Sequence, residues 1–263
     1  MEKFAFVALT FLFSMILIDY ILIINGMSSY QLLFKSSYLY GPYATKPLGL
    51  FGQFSINSTY AVFFYLLYLS FSEIKGINSK KVILFLMTSF IIIVENSGSG
   101  YISFLLMIFV MIYNKLKNKL FLIFLTSISI FILIYFNLLQ KISLKYISFL
   151  IEKVFVDNLM MHFNDIKTPF DLLLGTGSQY MDFGPLYIIG SIGLIVFLIY
   201  TLVLIYFLIK VKCLYMKTAI MSLILGNIHY PTLFFPIMNV LLPILFIYYI
   251  NKHTMKNMID NNV

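Results

Sequence analysis

Arginine and tryptophan are absent from this chain of 263 residues, cysteine occurs once, and only 11% of the residues are charged. Each shortage excludes something. One thiol, Cys213, cannot build a disulfide framework or a cysteine metal site, and it reads as a free thiol in a short basic loop. A soluble domain carries roughly 25% charged residues. A chain with less than half of that share, 61% apolar residues and a mean hydropathy of +0.97 is therefore excluded from the water-soluble globules. No polar block is long enough for an appended soluble enzyme or nucleic-acid module. The formal charge of +8 does not reopen the question, because the lysines flank apolar segments instead of clustering on one face. No nucleic-acid partner is expected.

What is present is a succession of apolar runs near the length at which a helix crosses roughly 30 Å of hydrocarbon. They predict an all-α, polytopic transmembrane bundle of eight spans, at about 4–24, 57–72, 82–95, 101–113, 119–137, 186–209, 217–230 and 236–250. The whole chain, 1–263, is read as one integral membrane domain. The start, MEKFAFVALTFLFSMILIDY, resembles a signal peptide but has no small-residue cleavage site, so it is taken as the first span. With the N-terminus inside, Lys3, Lys75, Lys80, Lys81, Lys115, Lys117, Lys119, Lys210, Lys212, Lys217, Lys252 and Lys256 are cytoplasmic. Both termini then lie in the cytoplasm, and two long loops, about 25–56 and 138–185, face outward. The second contains KISLKYISFLIEKVFVDNLMMHF, whose apolar residues recur at helical spacing and predict an amphipathic interfacial helix ending near Pro169.

Polar residues at membrane depth mark the candidate sites. Two short spans flank VENSGSGY, and irregular backbone at that depth is tolerated only in a protein-lined or watery setting. Glu95, Ser97 and Ser99 are candidates there, beside the alternative of a helical hairpin packed through small residues. GNIHYPTLFFP likewise separates two short spans and brings His229 and Tyr230 near the outer face; a helix-end hydrogen bond is the plainer role for His229. The Gly-Thr-Gly of LLLGTGSQYMDFGP lacks the flanks of a nucleotide loop, which rejects a nucleotide site. Asp182 stands just before a helix start, where a capping role is ordinary. Asp19, inside the first span, lies close enough to its outer end to reach interfacial water. No metal-binding spacing and no serine nucleophile elbow occur, so the sequence requires no metal and no cofactor is expected.

The order of the pieces TKPLGLFGQFSINSTYAVFF, SGSGYISFLLM, LLLGTGSQYMDFGPLYIIGSIGLIVFLIY and GNIHYPTLFFPIMN, over about residues 45–250, resembles the Wzy O-antigen polymerases and the related O-antigen ligases. These are bacterial inner-membrane glycosyltransferases. Two departures stand out: the chain is short at its N-terminal side for that family, and it has no arginine. The family commonly holds a lipid diphosphate with outside arginines, often including one at the place of Gly100.

The resemblance implies joining of undecaprenyl-diphosphate-linked oligosaccharide repeat units at the periplasmic face. Membrane lipid surrounds the enzyme, and a flippase and a chain-length regulator of the same pathway are its implied partners. Such an enzyme must position two lipid-borne substrates, counter charge on the leaving diphosphate, and help deprotonate the attacking hydroxyl. Lys46, Lys153 and Lys167 are candidates for the diphosphate. His162 is the first candidate for base or positioning group, with Asp165, Asp182 and Glu95 as substitutes. Ser97, Ser99, His229 and Tyr230 are candidates for substrate contact. Ligation of finished glycan to lipid A core, and a non-enzymatic flippase for the same lipid-linked sugar, are the competing functions.

Overall fold

The computed structural model describes residues 1–26, 46–72, 78–115, 156, 160–161, 164–177, 184–229, 232, 238, 240–249 and 251. Among them the regular structure is helical and no strand occurs. The helices are α1 Glu2–Ile24, α2 Phe54–Phe71, α3 Ser79–Glu95, α4 Gly98–Lys115, α5 Pro169–Leu174, α6 Gly184–Ile192, α7 Leu194–Lys210, α8 Leu214–His229 and α9 Val240–Tyr249. Two of them, α1 and α2, are long and apolar enough to cross a membrane, and Gly98–Tyr113, α7 and α9 are shorter apolar helices. The expected span at 119–137 and nearly all of the expected amphipathic helix lie outside the described residues.

The described residues gather into two compact units, Met1–Ile151 with Cys213–Gly226, and Glu152–Lys212 with Asn227–Val263. In the first unit α2 is the central element. It packs on α1, α3 and α4, and it is buried on every side from Ser55 to Tyr68. On α1 the buried residues Ala5, Leu9, Leu12, Ile16 and Asp19 recur every three or four positions and form one stripe against its neighbours. The opposite face, with Val7, Phe11, Ile18 and Ile21, is exposed and equally apolar, which suits a helix bathed in lipid on its far side. Phe13 and Tyr20 of α1 both meet Phe90 of α3 edge-on, at centroid distances of 5.5 and 5.8 Å.

Helix α3 begins at Asn78, whose side chain accepts from Lys81 N at 2.8 Å, a normal N-cap. Its buried stripe is Leu84, Thr88, Ile91, Ile92 and Glu95, so helical register alone turns the terminal carboxylate inward. The helix stops at Asn96, which takes the left-handed conformation with φ 45°. Helix α4 then starts on Ser97, whose Oγ accepts from Gly100 N at 3.1 Å. Hydroxyls within the helices bond back to carbonyls one turn earlier, as Ser58 to Phe54, Thr59 to Ser55 and Thr88 to Leu84 do. This satisfies them without water.

In the second unit Pro169 opens a short helix, after helical residues 164–165 have stopped at 166–168. It follows the N-cap Thr168, and Thr168 and Asp171 form a reciprocal capping box. The expected single span at 186–209 is two helices, broken at Gly193 with φ 89°. The cause is tertiary: a side chain at Gly193 would strike the backbone carbonyl of Leu173, and one at Gly175 would lie 2.7 Å from Gly193 N. Thr176 N and Gly177 N donate to Gly190 O at 2.8 and 3.0 Å, so the Gly-Thr-Gly segment is bound to the helix break by its backbone. Helix α9 packs on α7 through Phe246 against Phe207, with ring centroids 4.6 Å apart.

Candidate functional site

A polar packet lies at the Glu95 end of the first unit, inside helices that are otherwise apolar. Its frame is the segment from Lys46 to Gln53 that leads into α2. Gly49 has φ 56° and no room for a side chain, since a Cβ there would lie 2.8 Å from both Asn57 Nδ2 and Ile16 Cγ1. Its backbone N–H donates to Asp19 Oδ2 at 2.8 Å. Asn57, one turn into α2, does three jobs: Nδ2 donates to Leu48 O at 2.8 Å and to Glu95 Oε1 at 3.0 Å, and Oδ1 accepts from Phe51 N at 3.3 Å. Asp19 and Asn57 thereby hold this segment directly, Glu95 braces Asn57 from α3, and all three side chains are buried.

Above this floor stands Lys46. Its ammonium donates to Asn96 O at 3.0 Å and lies 4.4 Å over the ring of Phe54. It is half-buried, Asn96 and Gly98 beside it are exposed, and Ser97 and Ser99 are buried just beneath. Glu95 has no exposed surface at all, so it sits below the rim instead of on it. Lys46 and Asp19 are the charged neighbours that act on it electrostatically. Buried polar side chains are normally hydrogen-bonded. Here Gln53 Oε1, Glu95 Oε2 and Ser99 Oγ have no partner.

The turn between α3 and α4 is narrower in what it offers than its sequence suggests. Gly100 N–H, one of the donors available to an anion, is taken by Ser97 Oγ. A Cβ on Gly100 would run into Ser58 Cβ and approach Ser97 Oγ to 2.7 Å. The backbone of α4 therefore touches α2 at this point, and no arginine fits where the resembling family often carries one. The small-residue packing of the hairpin and the buried acid are both present.

Of the residues picked out in the sequence, Lys46, Glu95, Ser97 and Ser99 come together in this packet. Asp165 and Lys167 belong to the second unit and are described apart from it. Asp165 is exposed, and Lys167 N donates to Asp171 Oδ2 at 2.9 Å. Asp171 also accepts from Thr168 N at 2.8 Å, and these backbone donors, Thr168 first, hold its carboxyl below the usual carboxylate value. His162, Lys153, Asp182 and Tyr230 lie outside the described residues, as does the side chain of His229. Among the described residues no group of three or more His, Cys, Asp or Glu side chains is placed to hold a metal ion.

Sequence reasoning missed Asn57 and Gln53 and set Asp19 aside as water-accessible. Asp19 is in fact 3% exposed and bonded to backbone. The available signal was the run Gln53-Phe-Ser-Ile-Asn57-Ser-Thr59, polar residues crowded into the first turns of an apolar helix. Comparison with known proteins returns no matching family model, no matching curated protein and no matching solved structure.

Proposed function

We propose that this chain is an integral-membrane glycosyltransferase of the O-antigen polymerase type. It joins undecaprenyl-diphosphate-linked repeat units at the periplasmic face of the bacterial inner membrane, with both termini in the cytoplasm. The observation that carries the reading is the concentration of buried polar groups, Asp19, Asn57, Glu95, Ser97 and Ser99, at one end of an apolar helical packet capped by Lys46. Ionisable groups inside a membrane are costly and occur where a polar substrate or ion is handled. Lys46, at the rim, meets the donor diphosphate and stabilises the charge that develops as the glycosidic bond to phosphate breaks. It acts as a point charge, without the forked geometry an arginine would offer. Glu95 is closed off from solvent and serves as the fixed acidic floor that sets the position of the loop around Lys46. The proton of the attacking sugar hydroxyl then goes to a group of the long outer loop, His162 first, with Asp165 and Asp182 as the other candidates.

The test is deletion of the gene in its own host, with gel analysis of surface polysaccharide and complementation by wild type, Lys46→Gln and His162→Ala. Lipid A core carrying a single repeat unit supports polymerisation, with both variants failing to restore the ladder. Absence of attached units with lipid-linked polymer accumulating reassigns the protein as ligase. An unchanged ladder refutes both.

A further inference from the structure

We propose that α5 is a membrane-docking element whose partner is a lipid surface, with Phe170, Leu173 and Leu174 inserting among acyl chains at the Gly193 end of α7. The three residues stand at i, i+3 and i+4, so a helix places them on one stripe. That stripe faces outward. Phe170 is 71% and Leu174 64% exposed, and no residue of α5 is buried. A helix of six residues does not hold itself in water. This one is fixed at both ends: Thr168 and Asp171 cap its start, and at its end the Leu173 carbonyl comes so close to Gly193 that no side chain fits between them. Asp171 turns its carboxyl back onto Lys167 N and Thr168 N, so backbone satisfies the polar start of the helix.

What covers the stripe follows from the helix to which it is fixed. Helix α5 packs on α6 and α7. The 17 residues of α7 give a length of about 25 Å, close to the roughly 30 Å of a hydrocarbon core. Its outward side chains Ile195, Leu198, Ile199, Leu202 and Ile205 are exposed and apolar, a face that suits lipid. At its far end Lys210 Nζ lies 5.5 Å over the ring of Tyr206, a pairing that belongs at a membrane–water interface. Lys210 thus marks one interface, and Gly193, a full helix length away, marks the other. Helix α5 lies at that second level, where an apolar stripe with a capped polar start settles into the interface plane and continues the lipid face of α7. Thr176 N and Gly177 N, bonded to Gly190 O, follow directly, so docking of α5 also sets the depth of the Gly-Thr-Gly segment. The docking element lies beyond the interfacial helix expected before Pro169. It rests on α7 being in lipid and not on glycosyl transfer.

The chain's lack of tryptophan supplies the test. Single tryptophans are introduced as Phe170→Trp and Leu174→Trp, with Leu198→Trp on the outward face of α7 and Asp165→Trp at an exposed polar position as references. Each full chain is placed in phosphatidylcholine nanodiscs with plain or brominated acyl chains, and circular dichroism confirms wild-type helix content. Quenching by bromolipid is compared with quenching by dissolved iodide. Phe170→Trp and Leu174→Trp should be quenched by bromolipid at least about twofold more than Asp165→Trp, as Leu198→Trp is, and less by iodide. If one of the two does not fold, the other decides. Iodide quenching equal to that of Asp165→Trp, without bromolipid quenching, overturns the proposal because the stripe is then in water. Protection from both quenchers overturns it as well, since protein then covers the stripe. Bromolipid that leaves Leu198→Trp unquenched removes the lipid face of α7 and the proposal with it, whereas an absence of glycosyl transfer leaves every one of these readings unchanged.

Discussion

Gly100→Ala isolates the contact on which the packet depends. The added Cβ would collide with Ser58 Cβ and lie 2.7 Å from Ser97 Oγ. Neither can rotate away cheaply: the first is fixed to the α2 backbone, and the second is the cap that holds Gly100 N at 3.1 Å. Overpacking of this kind costs about 1–3 kcal/mol. Weakening the cap adds about 1 kcal/mol. Against this, alanine in place of glycine within a helix gains about 0.5–1 kcal/mol. The balance is a loss of about 2 kcal/mol, or roughly 4–8 °C in Tm for a chain of this size. Thermal denaturation in detergent, followed by circular dichroism, measures it. Ser58→Gly removes the opposing Cβ, so the double variant should recover part of the loss, with a coupling of about 1 kcal/mol in the double-mutant cycle. A Gly100→Ala protein as stable as wild type, or a double variant that is simply additive, would refute the close approach of α4 to α2.

Asn57→Leu fills the space but strips partners from Leu48 O, Phe51 N and Glu95 Oε1, and should cost about 3–5 kcal/mol, whereas Glu95→Gln keeps an oxygen for Asn57 and should cost far less; chemical denaturation separates them. Gly193→Ala, at φ 89° and against the Leu173 carbonyl, should destabilise the second unit by about 1–3 kcal/mol, read as faster amide exchange in α6 and α7. Thr168→Ala should loosen α5 by about 1 kcal/mol in the same measurement. Because the folded carboxyl of Asp171 is held below its ordinary value, its contribution is complete above the unfolded-state pKa and is lost as pH falls through the folded one. Amide protection of α5 should therefore decline in acid, and Asp171→Asn should abolish that dependence.

The helices that were plain in the sequence are those whose apolar runs end at an unambiguous stop. Lys3 and the Asn25-Gly26 pair bound the first, and the Asn96-Ser97-Gly98 turn bounds the third and fourth. Gly193 was hidden for the converse reason. The run from Leu186 to Ile209 is apolar but for Ser191 and Thr201, and what breaks it is the approach of the Leu173 backbone, a long-range contact that no local period encodes. Only the pair Gly190 and Gly193 inside that run hinted at close packing. At the site, Glu95 was legible because a carboxylate in an apolar stretch is conspicuous. Asn57 was not, since its importance lies in bridging α3 and the Lys46–Gln53 segment, and a single sequence does not pair residues across helices. Asp19 was visible but misplaced: its position near the end of α1 suggested water, and the folded loop at Gly49 takes that place.

Reconstitution tests the central claim most directly. The purified chain would be placed in proteoliposomes with the undecaprenyl-diphosphate-linked repeat unit extracted from the deletion host, and the products sized by gel. The account predicts a ladder of lipid-linked polymer with wild type, lost with Lys46→Gln at unchanged Tm. Folded wild-type protein that leaves the repeat unit unextended, in liposomes where its substrate is accessible, would contradict it.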